Sequence, residues 1–294
     1  MDKNLLANGW AGIRWGDYAF GKLEGSFIPF KISGDGESKP GVPIWRFTKR
    51  LNNGENIKTW YQETGDCVSM GAAQAGNYLT AAAICHYGEP IEFKLWYPPY
   101  IYGVSRTASD CGNGRLGYSA GSTGAWAAAA MMKHGVLFED DPEVPKYSGS
   151  LANQWGRYGV PEKFYKEASD NLVRSAARLT TIDEIREALI NYYPCTIAST
   201  WGFSVSKRDG CKIYEHTSSW NHQMCLLAWQ DDPFPAAFRL NSWGDSTGES
   251  LNGEPLGGAW QPAESLKKEL TTGVEVYALS MFDGFPAKKG IALV

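Results

Sequence analysis

The stretch that most restricts how this 294-residue chain can fold is "CVSMGAAQAGNYLTAAAICHY", residues 67–87. Val68, Ala72, Ala75, Leu79, Ala82 and Cys85 recur at helical spacing. Asp66 stands before them as a candidate N-cap, and Gly88 with Pro90 closes the run. A helix is therefore expected from Asp66 to about Tyr87. It is rich in alanine and glycine, so other elements can pack close against it.

The remaining elements follow from similar signals. "GAWAAAAMMKHG" predicts a second helix starting near Ser122 and stopping at Gly135. The capping-box pattern "TIDE" (181–184) opens a third, which Pro194 ends. Residues 93–117 read as loop with short ordered pieces, and residues 139–175 as loop with short helix. Residues 1–60, rich in Gly, Pro and Trp with turns at 33–41 and 51–56, read as an irregular arm rather than a helical segment. Beyond residue 194 the texture changes to short strands: "CTIAST" (195–200), "MCLLAWQ" (224–230), "FRLNSWG" (238–244) and "VEVYALSM" (274–281). Helices first and strands later predict an α+β protein. The expected divisions are an arm (1–60), a helical lobe (61–175) and a β-rich lobe (176–294).

Charge and composition exclude several functions. The net charge is −4 and no block of Lys or Arg offsets it, so no nucleic-acid partner is expected. No run approaches ~18 consecutive apolar residues, so no membrane span is expected either. The polar, interrupted N-terminus does not resemble a signal peptide, and no Asn-x-Ser/Thr acceptor occurs. A non-secreted protein, cytoplasmic or within a virus particle, is the simplest reading. Six cysteines with no CxxC pair fit reduced thiols. Cys211, His216, His222 and Cys225 are close enough in sequence to suggest zinc, but their spacing fits no standard ligand pattern. No metal or cofactor is expected.

Cys67 admits two readings, a small buried hydrophobe or a nucleophile. Its place at the first turn of a helix favours a thiolate, through the backbone N–H groups and the helix dipole. A nucleophile also needs a base and a group that orients the base. Of the four histidines, His86 lies in the same helix and His134 in the last turn before Gly135. His222, in "SSWNHQMCLLAW", enters a strand that can fix its ring. Asn241, nineteen residues later, can accept the imidazole Nδ1–H and leave Nε2 facing the thiol, with Trp243 covering that bond. Each residue alone also has an ordinary structural explanation; the order Cys, His, Asn is far less ordinary.

At this point the sequence resembles a family. "NHQMCLLAW" and "FRLNSWGDSTGE" are similar to the histidine and asparagine signatures of papain-like cysteine peptidases, and "QETGDCVS" to a diverged form of their cysteine signature. The likeness runs from about residue 60 through "GYSAGSTGAWAAAAMMKHGVLFE", "TIDEIREALINYYPCTIAS" and "TWGFSVSKRDGCKIYE". It implies a two-lobed fold, with a helical lobe around the nucleophile helix packed on an antiparallel β lobe. It further implies Cys67 as nucleophile, His222 as general base and acid, Asn241 as orienter, and Gln62 as a donor to the oxyanion hole. The implied partner is a peptide or protein substrate held between the lobes, with Trp201, Phe203, Tyr118 and Trp126 as candidate pocket walls.

The sequence departs from the family at four points. Gln62 precedes Cys67 by five residues rather than six, Val68 replaces an aromatic residue, Gln223 replaces a small one, and an upstream cysteine is absent. These departures leave a second expectation open: a papain-fold structural or binding component of a larger assembly, for example a virus particle, with partners engaged through residues 1–60. Acyl transfer to an amine would use the same residues as hydrolysis.

Overall fold

The structure is a computed structural model that describes residues 26–34 and 39–288. The first 25 residues of the expected arm lie outside the described residues. Among the described residues are eight α-helices and a six-stranded sheet. The helices are α1 (Trp45–Leu51), α2 (Cys67–Ala82), α3 (Pro98–Thr107), α4 (Gly124–His134), α5 (Gly149–Tyr158), α6 (Glu162–Ala168), α7 (Ile182–Ile190) and α8 (Ala263–Leu270).

The central element is α2. Every one of its 16 residues is buried. A π-helical turn, Ala83–Tyr87, continues it to Gly88, whose positive φ of 79° ends the run. The small side chains have the expected consequence. A Cβ on Gly71 would sit 3.0 Å from the carbonyl oxygen of Met224, and one on Gly76 would sit 2.1 Å from the Trp96 ring. Trp96 cannot step aside, because its N–H bonds Asn77 Oδ1 at 2.7 Å and its indole N–H bonds Thr80 Oγ1 at 3.1 Å. Gly76→Ala is therefore expected to destabilise the protein by ~1–3 kcal/mol through overpacking. A urea midpoint equal to wild type would contradict this.

Helix starts follow local chemistry. Thr123 caps α4 by accepting the Trp126 N–H at 3.1 Å, and Thr181 and Glu184 form the complete capping box of α7. Asp66, expected to cap α2, occupies the N-cap position but makes no side-chain cap bond. Two further expectations need correction. Part of the arm is helical (α1), and α3 lies where loop was expected. In α3 the Pro98–Pro99 pair, which reads as a breaker, sits in the first turn, where a missing N–H costs nothing.

The sheet contains β2 (Ser175–Arg178), β3 (Cys195–Arg208), β4 (Cys211–Gln230), β5 (Ala236–Leu240), β6 (Gly258–Pro262) and β7 (Glu275–Ser280), in the order β2-β7-β3-β4-β5-β6. A parallel bridge from Ile213 to Trp260 also joins β4 to β6, so the sheet curls on itself. β3 and β4 are far longer than the apolar runs that announced them. They form one hairpin closed by Asp209 (φ 48°) and Gly210 (φ 76°), the two-residue turn that suits twisted strands. Register shifts near Ser199–Phe203 interrupt its pairing, and beyond them the end of β3 is largely exposed while Cys211–Tyr214 of β4 is buried.

The two halves share one continuous core, in which α2 lies against β4. The described part of the arm straps them together. Strand β1 (Ile32–Ser33) pairs with β8 (Phe285–Pro286), and from α1 Trp45 packs on Phe238 and Trp260 while Phe47 packs on Tyr192. This is the expected α+β arrangement, a helical lobe around the Cys67 helix packed on an antiparallel lobe.

Candidate active site

Cys67 is the first residue of α2 and is fully buried. Its Sγ accepts the backbone N–H of Gln223 at 3.3 Å, which places it against the stretch of β4 that carries His222. The Gln223 side chain crosses in the same direction, its Nε2 donating to Val68 O at 2.7 Å. Strand β4 can lie this close because Gly71, one turn into the helix, has no Cβ.

The His222 ring is held from two sides. Its Nε2 is 2.7 Å from Asn241 Oδ1, and Trp243 stacks on it at 4.8 Å with an interplanar angle of 26°. Asn241 Oδ1 also accepts the Ser242 N–H at 2.7 Å, so that atom is the carbonyl oxygen and Nε2 must be the donor. The neutral ring thus carries its proton on Nε2, leaving the lone pair on Nδ1. This reverses the expected assignment, in which Nδ1 met the asparagine and Nε2 the thiol. Nδ1 is buried and has no hydrogen-bond partner among the described residues. Burial, opposed by the Asn241 bond and assisted by the Arg239 charge, lowers the His222 pKa to about 4. The ring is neutral at pH 7.

Gln62 is buried beside the asparagine. Its backbone N–H donates to Ser242 O at 2.9 Å, its Oε1 accepts the Ser242 hydroxyl at 2.6 Å, and its Nε2 donates to Thr64 O at 2.9 Å. The short loop from Gln62 to Cys67 is pinned to the segment around α5. Glu63 N–H donates to the Tyr147 hydroxyl at 2.8 Å, and Glu63 Oε2 accepts the Gly149 N–H at 2.8 Å.

One contributor was not singled out from sequence. Gln74, two turns past Cys67 on α2, accepts the Trp60 N–H at 3.1 Å and donates to Asn241 O at 3.3 Å. It ties the glutamine loop and the asparagine strand to the nucleophile helix. The available signal was an amide side chain in an alanine-rich run, seven residues from Cys67 and hence on the same face.

Asp66, immediately before Cys67, is also fully buried. Its Oδ2 accepts the Tyr147 hydroxyl at 3.0 Å. Burial raises its pKa to about 7, with the Tyr147 bond opposing and Glu63 adding slightly. A folded-state pKa above the unfolded value of ~3.9 confers stability at low pH that is lost as pH rises through 7. Asp66→Asn, which keeps an acceptor for Tyr147, is expected to remove this alkaline loss. Urea midpoints compared at pH 5.5 and 8.5 test it; an unchanged pH slope would contradict it.

The expected pocket walls do not form one surface. Trp126 is a core residue of α4, and Tyr118 is 75% exposed beneath the Arg157 guanidinium. Trp201 stacks on His216 at 4.0 Å, and Phe203 lies under the Arg239 guanidinium at 4.5 Å. Cys211, His216, His222 and Cys225 lie along the single strand β4, where a rise of ~3.3 Å per residue keeps them from converging on an ion.

No protein-family model matches the chain, and no curated protein matches it. Solved structures do. The chain is similar to xylellain, a cysteine protease from Xylella fastidiosa, at TM-score 0.53 and 16% identity, over 86% of this chain and 94% of that one. It is similar to the structure that compares the mite allergens Blo t 1 and Der p 1, at TM-score 0.57 and 14% identity, covering 95% and 82%. Procathepsin B S9 from Trypanosoma congolense follows at TM-score 0.56 and 9% identity, covering 93% and 86%. At these identities the likeness establishes the fold, which is that of the papain-like cysteine proteases. No helix among the described residues is long and apolar enough to cross a membrane.

Proposed function

We propose that the chain is a cysteine peptidase that cleaves peptide bonds through Cys67, His222, Asn241 and Gln62. The observation that carries this is the immobilised His222 ring, with Nε2 committed to Asn241 and a lone pair on Nδ1, on the strand whose next N–H meets the Cys67 sulfur. In this reading His222 Nδ1 takes the thiol proton, and the start of α2 stabilises the resulting thiolate. The thiolate charge in turn favours the protonated ring, offsetting the burial that otherwise holds it neutral.

Attack on a substrate carbonyl forms a carbon–sulfur bond and pushes the carbonyl electrons onto oxygen. In this reading the backbone N–H of Cys67 and the Gln62 side-chain amide, released from Thr64 O, receive that charge. His222 then protonates the departing amine, leaving an acyl-enzyme. Water, deprotonated by the same ring, releases the acid and restores the thiol.

The test is hydrolysis of a mixed peptide library under reducing conditions by the wild type and by Cys67→Ala. Cleavage that disappears in the variant is expected. Cleavage that survives it, or none by the wild type, would overturn the reading. One observation favours a second reading, a binding or assembly component with the same scaffold: Cys67 and His222 are only 0% and 1% exposed. A wild type inert toward the library yet stably bound to another protein would support it.

A further inference from the structure

Away from this site, three metal-binding side chains of different chemistry meet at one point. Asp110 and Cys111 lie in the turn after α3, and His134 is the last residue of α4. Asp110 Oδ1 is 2.8 Å from His134 Nε2 and 3.7 Å from Cys111 Sγ, and all three atoms lie within 4.8 Å of one another. We propose that Asp110, Cys111 and His134 form a binding site for a zinc-class divalent ion that fastens the turn after α3 to the end of α4.

The donor set suits such an ion. Zinc accepts thiolate, imidazole and carboxylate ligands at ~2.0–2.3 Å in a tetrahedron, which puts donor atoms about 3.3–3.8 Å apart. The 3.7 Å edge already has that length, and the 2.8 Å edge needs to open by about half an ångström. Harder ions such as magnesium prefer octahedral oxygen ligands and fit this set poorly.

The backbones that carry these groups are fixed. Cys111 N–H donates to Ala108 O at 3.0 Å and Gly112 N–H to Ser105 O at 2.9 Å. His134 O accepts the Tyr100 hydroxyl at 2.9 Å, and the Tyr165 ring stands edge-on to the imidazole at 5.6 Å. Lys133 Nζ lies 3.6 Å from the other carboxylate oxygen, Oδ2. Cys111 is buried, while Asp110 and His134 are part-exposed, so the fourth position faces solvent and can hold water.

Binding has a defined proton balance. Cys111 enters as thiolate and releases its proton to solvent. His134 must present Nε2 as a lone pair, so its ring proton moves to Nδ1. Binding at this site is independent of peptidase activity and stands or falls separately from it.

The test is a cobalt(II) titration of the full chain carrying Cys67→Ala, which removes the thiol of the candidate active site. A thiolate-to-cobalt absorption band saturating at one equivalent is expected, with zinc displacing the cobalt. Cys111→Ser should abolish the band. His134→Ala, a part-exposed change that leaves the core intact, should weaken cobalt affinity by at least roughly tenfold. Absence of a thiolate band, or a band that survives Cys111→Ser or is unaffected by His134→Ala, would overturn the proposal.

Discussion

Replacing His222 with alanine is expected to lower kcat/KM for peptide hydrolysis by ~10³–10⁵, with the fall in kcat and KM nearly unchanged. This corresponds to ~4–7 kcal/mol of lost transition-state stabilisation. The size of the effect follows from the lack of a substitute base. His86 packs between Phe47 and Tyr192, His134 sits on Asp110, and His216 lies on Trp201 in the outer part of the hairpin. Asn241→Ala is expected to be milder, because it frees the ring to change tautomer or turn but leaves the base in place. A His222→Ala enzyme with more than a tenth of wild-type kcat would remove that ring from the mechanism.

The largest stability effect is expected at Glu269. Arg239, the penultimate residue of β5, is 0% exposed. Its Nη1 donates to Glu269 Oε2 at 2.8 Å, Glu269 Oε1 at 3.0 Å and Gln261 Oε1 at 2.9 Å. Glu269, near the end of α8, is equally buried and also accepts the Gln261 amide at 2.7 Å. Glu269→Ala strands a guanidinium in the core and is expected to cost ~3–5 kcal/mol, read as a lower urea midpoint. Glu269→Leu combined with Arg239→Met removes both charges and should recover most of that loss. A single mutant within ~1 kcal/mol of wild type would mean that water or another anion reaches Arg239.

His222 also links stability to acid. Its folded-state pKa of about 4 lies below the unfolded value of ~6.5, so its contribution is present above 6.5 and fades as pH falls toward 4. Asp66 acts in the opposite direction as pH rises toward 7. The two buried groups that flank the candidate chemistry titrate over nearly the same pH window with opposite sign, so their effects on the pH dependence of stability largely offset each other.

Where residue type and spacing carry the information, the fold was legible in the sequence. The alanine-rich run, its Gly88 stop and the Thr181–Glu184 capping box all depend on local chemistry, and each lies where expected. What stayed hidden depends on tertiary contact. The outer halves of β3 and β4 carry many polar residues and form strands by pairing with each other. Asp209–Gly210 was a hairpin signal inside a stretch not read as strand. Helix α3 opens with two prolines, and its side chains are buried by neighbours distant in sequence.

For the candidate site, the order Cys67, His222, Asn241 was legible but the geometry was not. Which ring nitrogen faces Asn241 depends on the Ser242 N–H, a bond that fixes the asparagine's oxygen and that no spacing rule contains. The role of Gln74 likewise needs the loop and the strand that it joins.

A thiol-reactive epoxide, applied under reducing conditions and followed by peptide mapping, asks whether the Cys67 sulfur behaves as an activated nucleophile. The expected result is one adduct, on the peptide carrying Cys67, formed far more slowly in His222→Ala. Modification only at the part-exposed Cys85, or equal labelling of Cys67 with and without the imidazole, would mean that this fold holds its sulfur and its ring without joining them in chemistry.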